Sequence, residues 1–346
     1  MKVAKVTIIN ITSYMGMDVA RLLWRHPGVQ IVCVTGRSEA GKRLGEAIPH
    51  LSEIDLPIDA VPKEADLVFS SLPHKASAEV VLPLLENGAK VVDLSADFRL
   101  KDPGEYPRWY DFTHPAPGLL QKAVYGLTEL HRSQLAQASL VANPGCYPTG
   151  AILALAPAVK EGLVQPDIIV DSKSGVSGAG RALSLKSHYA EMNESVSAYA
   201  LEGHRHLPEI VQELEALRPG KPLSVTFVPH LVPMTRGILS TCYAPLVDGK
   251  LAKGEKGIAE LRQVYRDFYE GEPFVRVVDT PPQTKHTWGS NLCLVHPTID
   301  VRTNRLMVIS CLDNLVKGGS GQAVQNMNLM LGFAETTGLE SLAIYP

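Results

Sequence analysis

The first 145 residues alternate between short apolar runs and segments whose apolar side chains recur at helical spacing. Residues 3–10 have the composition of a buried strand, and the apolar positions from Met17 to Trp24 then fall on one helix face. Further strands are predicted over residues 29–34, 66–71, 90–94 and 140–142, and a helix over 76–86. Strands that alternate with helices predict an α/β fold with a parallel, Rossmann-type sheet.

The pattern changes after Cys146, where apolar runs follow one another with few helices between them. Helices are predicted over residues 149–160, 255–269 and 321–333. Strands are predicted over residues 167–172, 223–229, 237–245, 274–278, 291–298 and 305–312. Runs of strands joined by long connections predict an α+β domain with a largely antiparallel sheet. Residues 101–118, rich in proline and aromatic side chains, are predicted to form an irregular loop.

Composition narrows the class of protein without identifying it. A chain of 346 residues with 45% apolar and 20% charged residues favours a globular protein of two domains. The formal charge of −3 gives no reason to expect nucleic acid or an anionic membrane as partner. The chain begins with a strand-like run, without a signal-peptide layout, and no apolar stretch approaches the ~20 residues that span a bilayer. Five scattered cysteines without a C-x-x-C pair fit a reducing cytoplasm.

One cysteine lies at a turn between two apolar runs. The first run ends at Ala142, Asn143-Pro144-Gly145 is a turn signal, and Pro148 stands in the first turn of the helix that follows. Cys146 is therefore expected near a helix N-terminus, where unpaired N–H groups lower the pKa of a thiol and can hold an oxyanion. The alternative is a buried, inert side chain, the usual state of a free cysteine. The turn favours a nucleophile.

The ends of the first two strands offer a place for a dinucleotide. The loop over residues 10–16 keeps only Gly16 of the glycines that usually approach a pyrophosphate, although Asn10 tolerates the left-handed conformation of such a turn. Arg37 and Ser38 follow the second strand, where a cation and a hydroxyl suit a ribose 2′-phosphate. A solvated surface arginine is the alternative. The pattern favours NADP over NAD.

Two polar segments of the second half are candidates for chemistry. Residues 174–181 hold three glycines and two serines before an arginine, which makes either a loop that wraps an anion with N–H groups or a plain flexible loop. His204 and His206 admit three interpretations: metal ligands with Cys146, structural imidazoles, or the acid/base partner of the thiol. The compact ligand pairs of a zinc site are missing. A dinucleotide domain, a thiol and a histidine together favour oxidoreduction through a thioester.

Several long motifs resemble those of the N-acetyl-gamma-glutamyl-phosphate reductases, relatives of aspartate-semialdehyde dehydrogenase. The resemblance runs nearly from end to end of the chain. The motifs cover residues 38–42 (SEAGK), 91–100 (VVDLSADFRL), 143–149 (NPGCYPT), 174–181 (SGVSGAGR), 203–206 (GHRH), 313–318 (DNLVKG) and 321–328 (GQAVQNMN). The resemblance implies NADPH-dependent reduction of N-acetyl-L-glutamyl 5-phosphate to the 5-semialdehyde, with release of phosphate, in arginine biosynthesis.

The resemblance also assigns roles to individual residues. Cys146 matches the family's nucleophile, and His204 or His206 matches its acid/base, with His204 favoured. Substrate or phosphate is expected at Ser177, Gly178, Gly180, Arg181 and Glu209. The cofactor NADP(H) is expected at Thr12, Ser13, Tyr14, Met15, Gly16, Arg37, Ser38, Ser71, Pro73, Asn314 and Gln322. The last helix is then expected to return to the first domain, which gives a dinucleotide-binding domain of residues 1–145 with 316–346 and a catalytic domain of residues 146–315.

The main departure from the family lies in the first loop. Family members resemble Gly-Ala-Thr/Ser-Gly-Tyr-Thr-Gly, whereas this chain carries Asn10 and Ser13 in place of two glycines. The added Cβ atoms are expected to point toward the pyrophosphate, which motivates a catalytically silent or regulatory homologue as an alternative. A thiol hydrolase without a dinucleotide and the related aminoadipyl-phosphate reductase of lysine biosynthesis are further alternatives. The small-molecule enzyme is expected to be a homodimer or homotetramer, without metal, nucleic acid or membrane partners.

Overall fold

The computed structural model describes residues 3–346, which fold as two compact units. The first unit contains the residues up to Gly145 together with Gly319–Ser341, and the second contains Cys146–Gly318 together with Leu342–Pro346. Each unit is built on a seven-stranded sheet. No helix within residues 3–346 combines the length and the apolar character that crossing a bilayer requires.

The sheet of the first unit is parallel throughout, with strand order β3-β2-β1-β4-β5-β7-β6. Its strands are β1 (Ala4–Ile9), β2 (Val29–Thr35), β3 (Ile58–Asp59), β4 (Leu67–Ser70), β5 (Lys90–Asp93), β6 (Val124–Tyr125) and β7 (Leu140–Ala142). Its helices up to this point are α1 (Tyr14–Leu23), α2 (Leu44–Ala47), α3 (Ser77–Glu86), α4 (Glu105–Tyr110), α5 (Pro117–Leu120) and α6 (Thr128–Leu135). Every residue of β4 is buried, as expected for a central parallel strand covered on both faces. The predicted Rossmann-type sheet is confirmed.

The prediction of an irregular loop over residues 101–118 is wrong, because helices α4 and α5 lie there. Tyr106 and Tyr110 are four residues apart, so a helix places both rings on one face, and both are buried in the core of the first unit. The aromatic side chains that suggested a loop instead pack in or against the core, whereas the prolines of the segment are exposed. Strands β3 and β6, of two residues each, are too short to leave a periodic pattern.

The second unit carries a mixed, largely antiparallel sheet with strand order β12-β13-β14-β11-β8-β10-β9. Its helices are α7 (Cys146–Lys160), α8 (Tyr189–Met192), α9 (Leu207–Ala216) and α10 (Glu255–Phe268). Its strands are β8 (Asp167–Ser174), β9 (Ser197–Ala198), β10 (Ser224–Leu231), β11 (Ile238–Pro245), β12 (Val275–Val277), β13 (Cys293–Asp300) and β14 (Arg305–Leu312). The pairs β8/β10 and β12/β13 are parallel and the other four are antiparallel. The predicted α+β class is confirmed.

The chain closes with α11 (Gly321–Leu331), which belongs to the first unit and packs on α1 and α6. A π-helical turn over Val316–Ser320 leads into it. Short 3₁₀ turns lie at Pro49–Leu51, Val176–Ala179, Leu185–Ser187 and Thr284–His286.

Helix α7 begins at Cys146, three residues before its predicted start. Pro148 is the third residue of the helix, where a missing N–H costs no helical hydrogen bond. A second proline, Pro157, stands inside the helix and cannot donate to the carbonyl of Leu153, four residues earlier. The hydroxyl of Tyr269 donates to that carbonyl at 2.5 Å, and the hydroxyl of Tyr265 donates to the next one, on Ala154, at 2.8 Å. Tyr269, the residue after helix α10, thus supplies the hydrogen bond that Pro157 removes.

Replacing Tyr269 with phenylalanine is therefore expected to destabilise the protein by about 1–3 kcal/mol, because the Leu153 carbonyl is left buried without a donor. Urea unfolding measures this difference. Tyr345→Phe is the matched control, since the Tyr345 side chain is largely exposed. Equal stability of Tyr269→Phe and the control would show that the carbonyl finds another partner.

Candidate functional site

The candidate nucleophile lies at the start of α7, directly after the turn that follows β7. Cys146 is half-buried, whereas the other four cysteines, also free, are buried. Cys146 is the first residue of a 15-residue helix, so the positive end of the helix dipole stabilises its thiolate. The predicted turn-borne thiol is thus present in the structure.

The backbone of Gly318 packs directly against Cys146. A Cβ atom added to Gly318 would lie 2.8 Å from the Cβ of Cys146 and 3.2 Å from its Cα. The N–H of Gly318 donates to the carbonyl of Asp313 at 2.9 Å. The fully buried Asp313 carboxylate accepts the N–H groups of Leu315 and Gly289, each at 2.8 Å. This turn therefore holds the backbone of Gly318, which has no side chain, against Cys146.

Two imidazoles lie against the tyrosine that follows the nucleophile. The ring of Tyr147 contacts those of His204 and His206, with centroid distances of 5.8 and 5.9 Å. The two imidazole centroids are 4.8 Å apart. Tyr199 and Phe227 contact the His204 ring at 5.5 and 5.3 Å. The predicted histidines thus share one aromatic cluster with the chain neighbour of Cys146.

The environment of His204 holds this imidazole in its neutral form. Its Nδ1 accepts the backbone N–H of His206 at 3.1 Å, so the neutral ring carries its proton on Nε2. Burial, with a smaller contribution from the charge of Arg205, lowers the pKa of His204 to about 4. Near neutral pH, His204 is therefore a hydrogen-bond donor and a weak base.

This lowered pKa makes stability depend on pH. In the unfolded chain the pKa of a histidine is about 6.5, so between pH 6.5 and 4 the unfolded state binds more protons than the folded state. The contribution of neutral His204 is complete above pH 6.5 and is lost as the pH falls toward 4. Unfolding free energies at pH 7.5 and 4.5 should fall less for His204→Gln than for the wild type. Substitution of the exposed His50 is the control, and an equal fall in both variants would contradict the assignment.

Two buried hydroxyls form a chain beside the imidazoles. The hydroxyl of Tyr199 donates to that of Tyr147 at 3.1 Å, which in turn donates to the carbonyl of His230 at 3.2 Å. Burial raises the pKa of both phenols, that of Tyr199 to about 12. Both phenols therefore stay protonated, and the chain fixes the position of the Tyr147 ring.

The sequence leaves two interpretations of residues 174–181 open, an anion-wrapping loop and a plain flexible loop, and the structure bears on the first through five backbone N–H groups. The N–H groups that donate to protein carbonyl oxygens are those of Gly175, Val176, Ser177, Gly178 and Gly180. Because these donors are used inside the protein, they cannot wrap an anion. The side chains of Ser177, half-buried, and Arg181, exposed, carry the polar groups that this loop presents.

Two residues that were predicted to bind a ligand have surroundings that the sequence did not indicate. Asn314, predicted to contact the cofactor, accepts the N–H of Gly237 at 2.8 Å and donates to the Ser177 hydroxyl at 3.0 Å. Its amide is thus hydrogen-bonded to the loop of Ser177 and to Gly237, and its place in the cofactor set stays a prediction. Glu209, predicted to bind substrate, is fully buried in the first turn of α9, which removes its carboxylate from an open surface.

The sequence analysis did not identify four side chains that the structure adds to the site. Tyr147 and Tyr199 support the imidazoles, and Asp313 shapes the turn that ends at Gly318. The half-buried Arg236 lies 3.5 Å from the Asp313 carboxylate. The motifs that contain Tyr147 and Asp313 were visible in the sequence, but their contacts join segments far apart in the chain. Within residues 3–346, no group of His, Cys, Asp and Glu side chains forms a metal site.

The first unit preserves the geometry of a dinucleotide loop despite its missing glycines. Asn10 adopts φ 63°, the left-handed conformation that a glycine would supply. Its side chain donates to the carbonyl of Ser71 at 2.8 Å, and the Ser13 hydroxyl donates to that of Ser71 at 2.9 Å. A Cβ on Gly16 would lie 2.5 Å from the Asn10 carbonyl oxygen, so only glycine fits there. The side chains of Asn10 and Ser13, which stand in place of two glycines, are thus both hydrogen-bonded to Ser71.

The N-terminus of α1 remains suited to a phosphate. Ser13 caps it by accepting the N–H of Gly16 at 2.8 Å, so Tyr14 and Met15 supply the other N–H groups of the first turn. The half-buried Thr12 donates to the Asn10 side chain at 3.1 Å.

The other predicted cofactor residues of this unit differ in exposure. Arg37 and Ser38 are exposed just after β2, and Pro73 is exposed just after β4. Gln322 is fully buried and donates to the Thr128 hydroxyl at 2.7 Å, while its side-chain oxygen is buried without a hydrogen-bond donor. Arg37, Ser38 and Pro73 are therefore accessible to a ligand, whereas Gln322 is not.

Models of two protein domains match most of the chain. The model described as "semialdehyde dehydrogenase, NAD binding domain" matches residues 5–138. The model described as "semialdehyde dehydrogenase, dimerisation domain" matches residues 146–314.

Curated relatives match over the full length. An N-acetyl-gamma-glutamyl-phosphate reductase of Dehalococcoides mccartyi strain CBDB1 is 54% identical over 347 residues, covering 100% of both chains. The protein of the same description from Geotalea daltonii is 51% identical and covers 99% of both chains.

Solved structures share the fold at low identity. Aspartate semialdehyde dehydrogenase II from Vibrio cholerae matches with a TM-score of 0.69 and 17% identity, over 96% of this chain and 99% of that one. Aspartate semialdehyde dehydrogenase with NADP from Candida albicans matches with a TM-score of 0.67 and 15% identity, over 95% and 99%.

Proposed function

Because this chain belongs to the N-acetyl-gamma-glutamyl-phosphate reductase family, we propose that it reduces N-acetyl-L-glutamyl 5-phosphate to N-acetyl-L-glutamate 5-semialdehyde and phosphate, in arginine biosynthesis. The observation that carries this proposal is the half-buried Cys146 at the start of α7, whose neighbour Tyr147 contacts two imidazoles. Family membership at 54% identity over the full length supports the glutamyl substrate rather than the aminoadipyl one.

In the proposed reaction, the Cys146 thiolate attacks the carbonyl carbon of the acyl phosphate. A C–S bond forms, the C–O bond to phosphate breaks, and the phosphate leaves with its electron pair. NADPH, when bound, supplies the hydride that reduces the resulting thioester carbon. The hemithioacetal then releases the aldehyde, and Cys146 leaves as the thiolate, which the helix dipole of α7 stabilises.

We assign the proton-carrying role to His206 and not to His204, which the sequence alone favoured. A pKa of about 4 makes His204 a poor acceptor for a thiol proton, whereas its neutral Nε2–H suits donation to an oxyanion. His206 is the second imidazole that contacts the ring of Tyr147. His206→Gln should then lower kcat more than His204→Gln; the opposite order would return the role to His204.

We propose NADP(H) as the cofactor, held by the first unit. The loop around Asn10 and the N-terminus of α1 fit the pyrophosphate, and the exposed Arg37 and Ser38 fit a ribose 2′-phosphate.

We propose that side chains of the second unit contact the phosphate and the substrate. The backbone N–H groups of residues 175–178 and 180 donate to carbonyl oxygens of the protein and do not serve this purpose. Ser177 is oriented by Asn314, and the guanidinium groups of Arg181 and Arg236 supply charge that suits a phosphate or carboxylate. The "dimerisation domain" description over residues 146–314 supports a homodimer or a larger homo-oligomer. Five cysteines without a disulfide support the reducing cytoplasm as its location.

Phosphate-dependent oxidation of N-acetyl-L-glutamate 5-semialdehyde, followed separately with NADP⁺ and NAD⁺, tests the proposed function. We expect turnover that requires phosphate, with NADP⁺ preferred. A protein that binds no cofactor in calorimetric titration would instead be the silent homologue suggested by Asn10 and Ser13. Ester hydrolysis by the cofactor-free protein, without any redox turnover, would indicate a thiol hydrolase.

A further inference from the structure

One short turn of the second unit contacts two segments of the candidate site at once. It comprises residues 284–290, of which the first three form a 3₁₀ turn, and we call it the indole turn. The indole N–H of Trp288 donates to the backbone carbonyl of Arg236 at 2.9 Å. The backbone N–H of Gly289 donates to the Asp313 carboxylate at 2.8 Å. Adjacent residues of this turn thus hold two segments that lie far apart in the chain.

Several contacts besides the indole hydrogen bond fix the backbone that carries Arg236. The N–H of Gly237 donates to the Asn314 side chain at 2.8 Å, and the carbonyl of Gly237 accepts the N–H of Gly175 at 2.9 Å. Gly237 has φ 107°, a conformation that favours glycine, and a Cβ there would lie 2.9 Å from the Cβ of Thr284 in the indole turn. The backbone of Arg236 and Gly237 therefore cannot shift without breaking several contacts.

The side chain of Arg236 meets the same carboxylate that the indole turn binds. One guanidinium nitrogen lies 3.5 Å from a carboxylate oxygen of the fully buried Asp313, longer than the roughly 2.8 Å of a strong charge-assisted hydrogen bond. The Arg236 side chain is 31% exposed, so a solute can reach it. Its planar fork of N–H donors suits the paired oxygens of a phosphate or a carboxylate.

The indole hydrogen bond has a consequence for binding. A half-buried tryptophan generally finds some acceptor for its N–H, so the bond of Trp288 would be ordinary by itself. Here the acceptor belongs to Arg236, and the next N–H along the chain binds the carboxylate that faces the same guanidinium. A long side chain loses rotamer freedom when it binds a ligand, and a backbone fixed beforehand keeps this loss small. The indole turn thus prepares Arg236 for an oxyanion.

Residues 342–346 pack on the indole turn and belong to the same compact unit. The N–H of Ile344 donates to the carbonyl of Trp288 at 2.8 Å. A Cβ added to Gly289 would lie 3.2 Å from a side-chain carbon of Ile344, so this side chain lies close against the turn. The turn that holds Arg236 is therefore itself held by this segment.

We propose that Trp288 is a positioning residue, which holds Arg236 where its guanidinium binds an oxyanion of the substrate, and that residues 342–346 keep Trp288 in place. The identity of the substrate rests on the proposed function, whereas the contacts themselves do not. The oxyanion is the transferred phosphate or the substrate carboxylate. Loss of the indole N–H then weakens binding of that oxyanion and leaves NADPH binding unchanged.

Trp288→Phe tests this inference in the full-length protein, because phenylalanine keeps an aromatic ring but lacks the N–H. The assay is phosphate-dependent oxidation of N-acetyl-L-glutamate 5-semialdehyde with NADP⁺. We expect one KM to rise about five-fold, the factor that corresponds to one lost hydrogen bond, with a smaller change in kcat and none in KM for NADP⁺. A higher KM for phosphate assigns the phosphate to Arg236, and a higher KM for the semialdehyde assigns the carboxylate.

The matched control is Trp109→Phe. Trp109 is also half-buried, and its indole N–H donates to the Glu105 carboxylate of the first unit at 2.5 Å. This variant loses an equivalent hydrogen bond away from Arg236. We expect its KM values to equal those of the wild type.

A second substitution separates positioning from a merely structural role. Arg236→Gln should raise the same KM, and adding Trp288→Phe to it should cause no further rise, because Trp288 acts through Arg236. An equal rise in KM with and without the Arg236 side chain would overturn the inference. A KM for phosphate and for semialdehyde that Trp288→Phe leaves at the value of the control would also overturn it.

If circular dichroism shows that Trp288→Phe does not fold, Ile344→Pro decides the question by the same measurements. Proline lacks the N–H that binds the Trp288 carbonyl, so the same KM should rise. Leu342→Pro is its control, since Leu342 lies in the same segment and is 84% exposed. Equal KM values for the two proline variants would overturn the inference.

A wild type that oxidises no semialdehyde would contradict the proposed function, and the positioning is then decided without turnover. Inorganic phosphate and N-acetyl-L-glutamate are tested separately for protection of Cys146 from iodoacetamide. At least one of them should protect the wild type at about five-fold lower concentration than Trp288→Phe. Equal protection of both proteins, or no protection of the wild type, would overturn the positioning.

Discussion

Cys146→Ser is expected to lower kcat for reduction of N-acetyl-L-glutamyl 5-phosphate at least about 10⁴-fold, the scale seen when an enzyme loses its nucleophile. A serine hydroxyl is not ionised near neutral pH, and the helix dipole of α7 is too weak to change this. The oxygen that replaces sulfur also forms an ester, which is less reactive toward hydride than a thioester. Steady-state kinetics with NADPH measure the loss, and cofactor binding should be unchanged.

The matched control for this variant is Cys33→Ser. Cys33 is a buried cysteine of β2 whose thiol lies 3.5 Å from the Asp59 carboxylate, a hydrogen bond that serine can keep. We expect near wild-type turnover from the control. Activity of Cys146→Ser within ten-fold of the control would remove the thioester mechanism.

The second large effect is expected from Gly318→Ala. The added methyl group would stand 2.8 Å from the Cβ of Cys146 and 3.2 Å from its Cα, closer than such atoms approach in proteins. Because the turn is fixed by the Asp313 carboxylate, the strain must be relieved by displacing Cys146. A displacement of about 1 Å at a reacting atom costs on the order of 100-fold in rate. We therefore expect kcat to fall by that factor with little change in KM for NADPH.

Alkylation separates displacement of the thiol from general loss of structure. Iodoacetamide should modify Cys146 at a different rate in Gly318→Ala, while the unfolding midpoint changes little. Gly118→Ala is the control, because a Cβ there meets no atom within 4 Å. Wild-type kcat and alkylation rate in Gly318→Ala would show that the turn yields without moving the nucleophile.

The fold and the turn that carries Cys146 could be predicted because their signals are local. Apolar runs of strand length alternate with helical spacing, and Asn143-Pro144-Gly145 ends a strand just before Cys146. Asn10 also follows a local rule, since its tolerance of positive φ is a property of the residue and not of its neighbours. The resemblance of several motifs to a known family added the predicted substrate and the roles of the candidate histidines.

The surroundings of several candidate residues depend on contacts between distant segments. Asn314 was joined to the cofactor set by its motif, yet its amide bonds to Gly237 and Ser177 are visible only in three dimensions. A preference between His204 and His206 needs the burial that lowers the pKa of His204, which neighbours in the sequence do not reveal. The N–H groups of Gly175, Val176 and Ser177 similarly donate to carbonyls of residues 234–237, more than 50 residues away in the chain.

Trapping of the acyl-enzyme tests the central claim most directly. The wild-type protein is mixed with N-acetyl-L-glutamyl 5-phosphate without any nicotinamide cofactor, quenched in acid, and analysed by peptide mass spectrometry and phosphate assay. We predict about one phosphate released per site in the first turnover, together with an N-acetylglutamyl adduct on the peptide that contains Cys146. Release of phosphate only when NADPH is present, with Cys146 unmodified, would contradict the account.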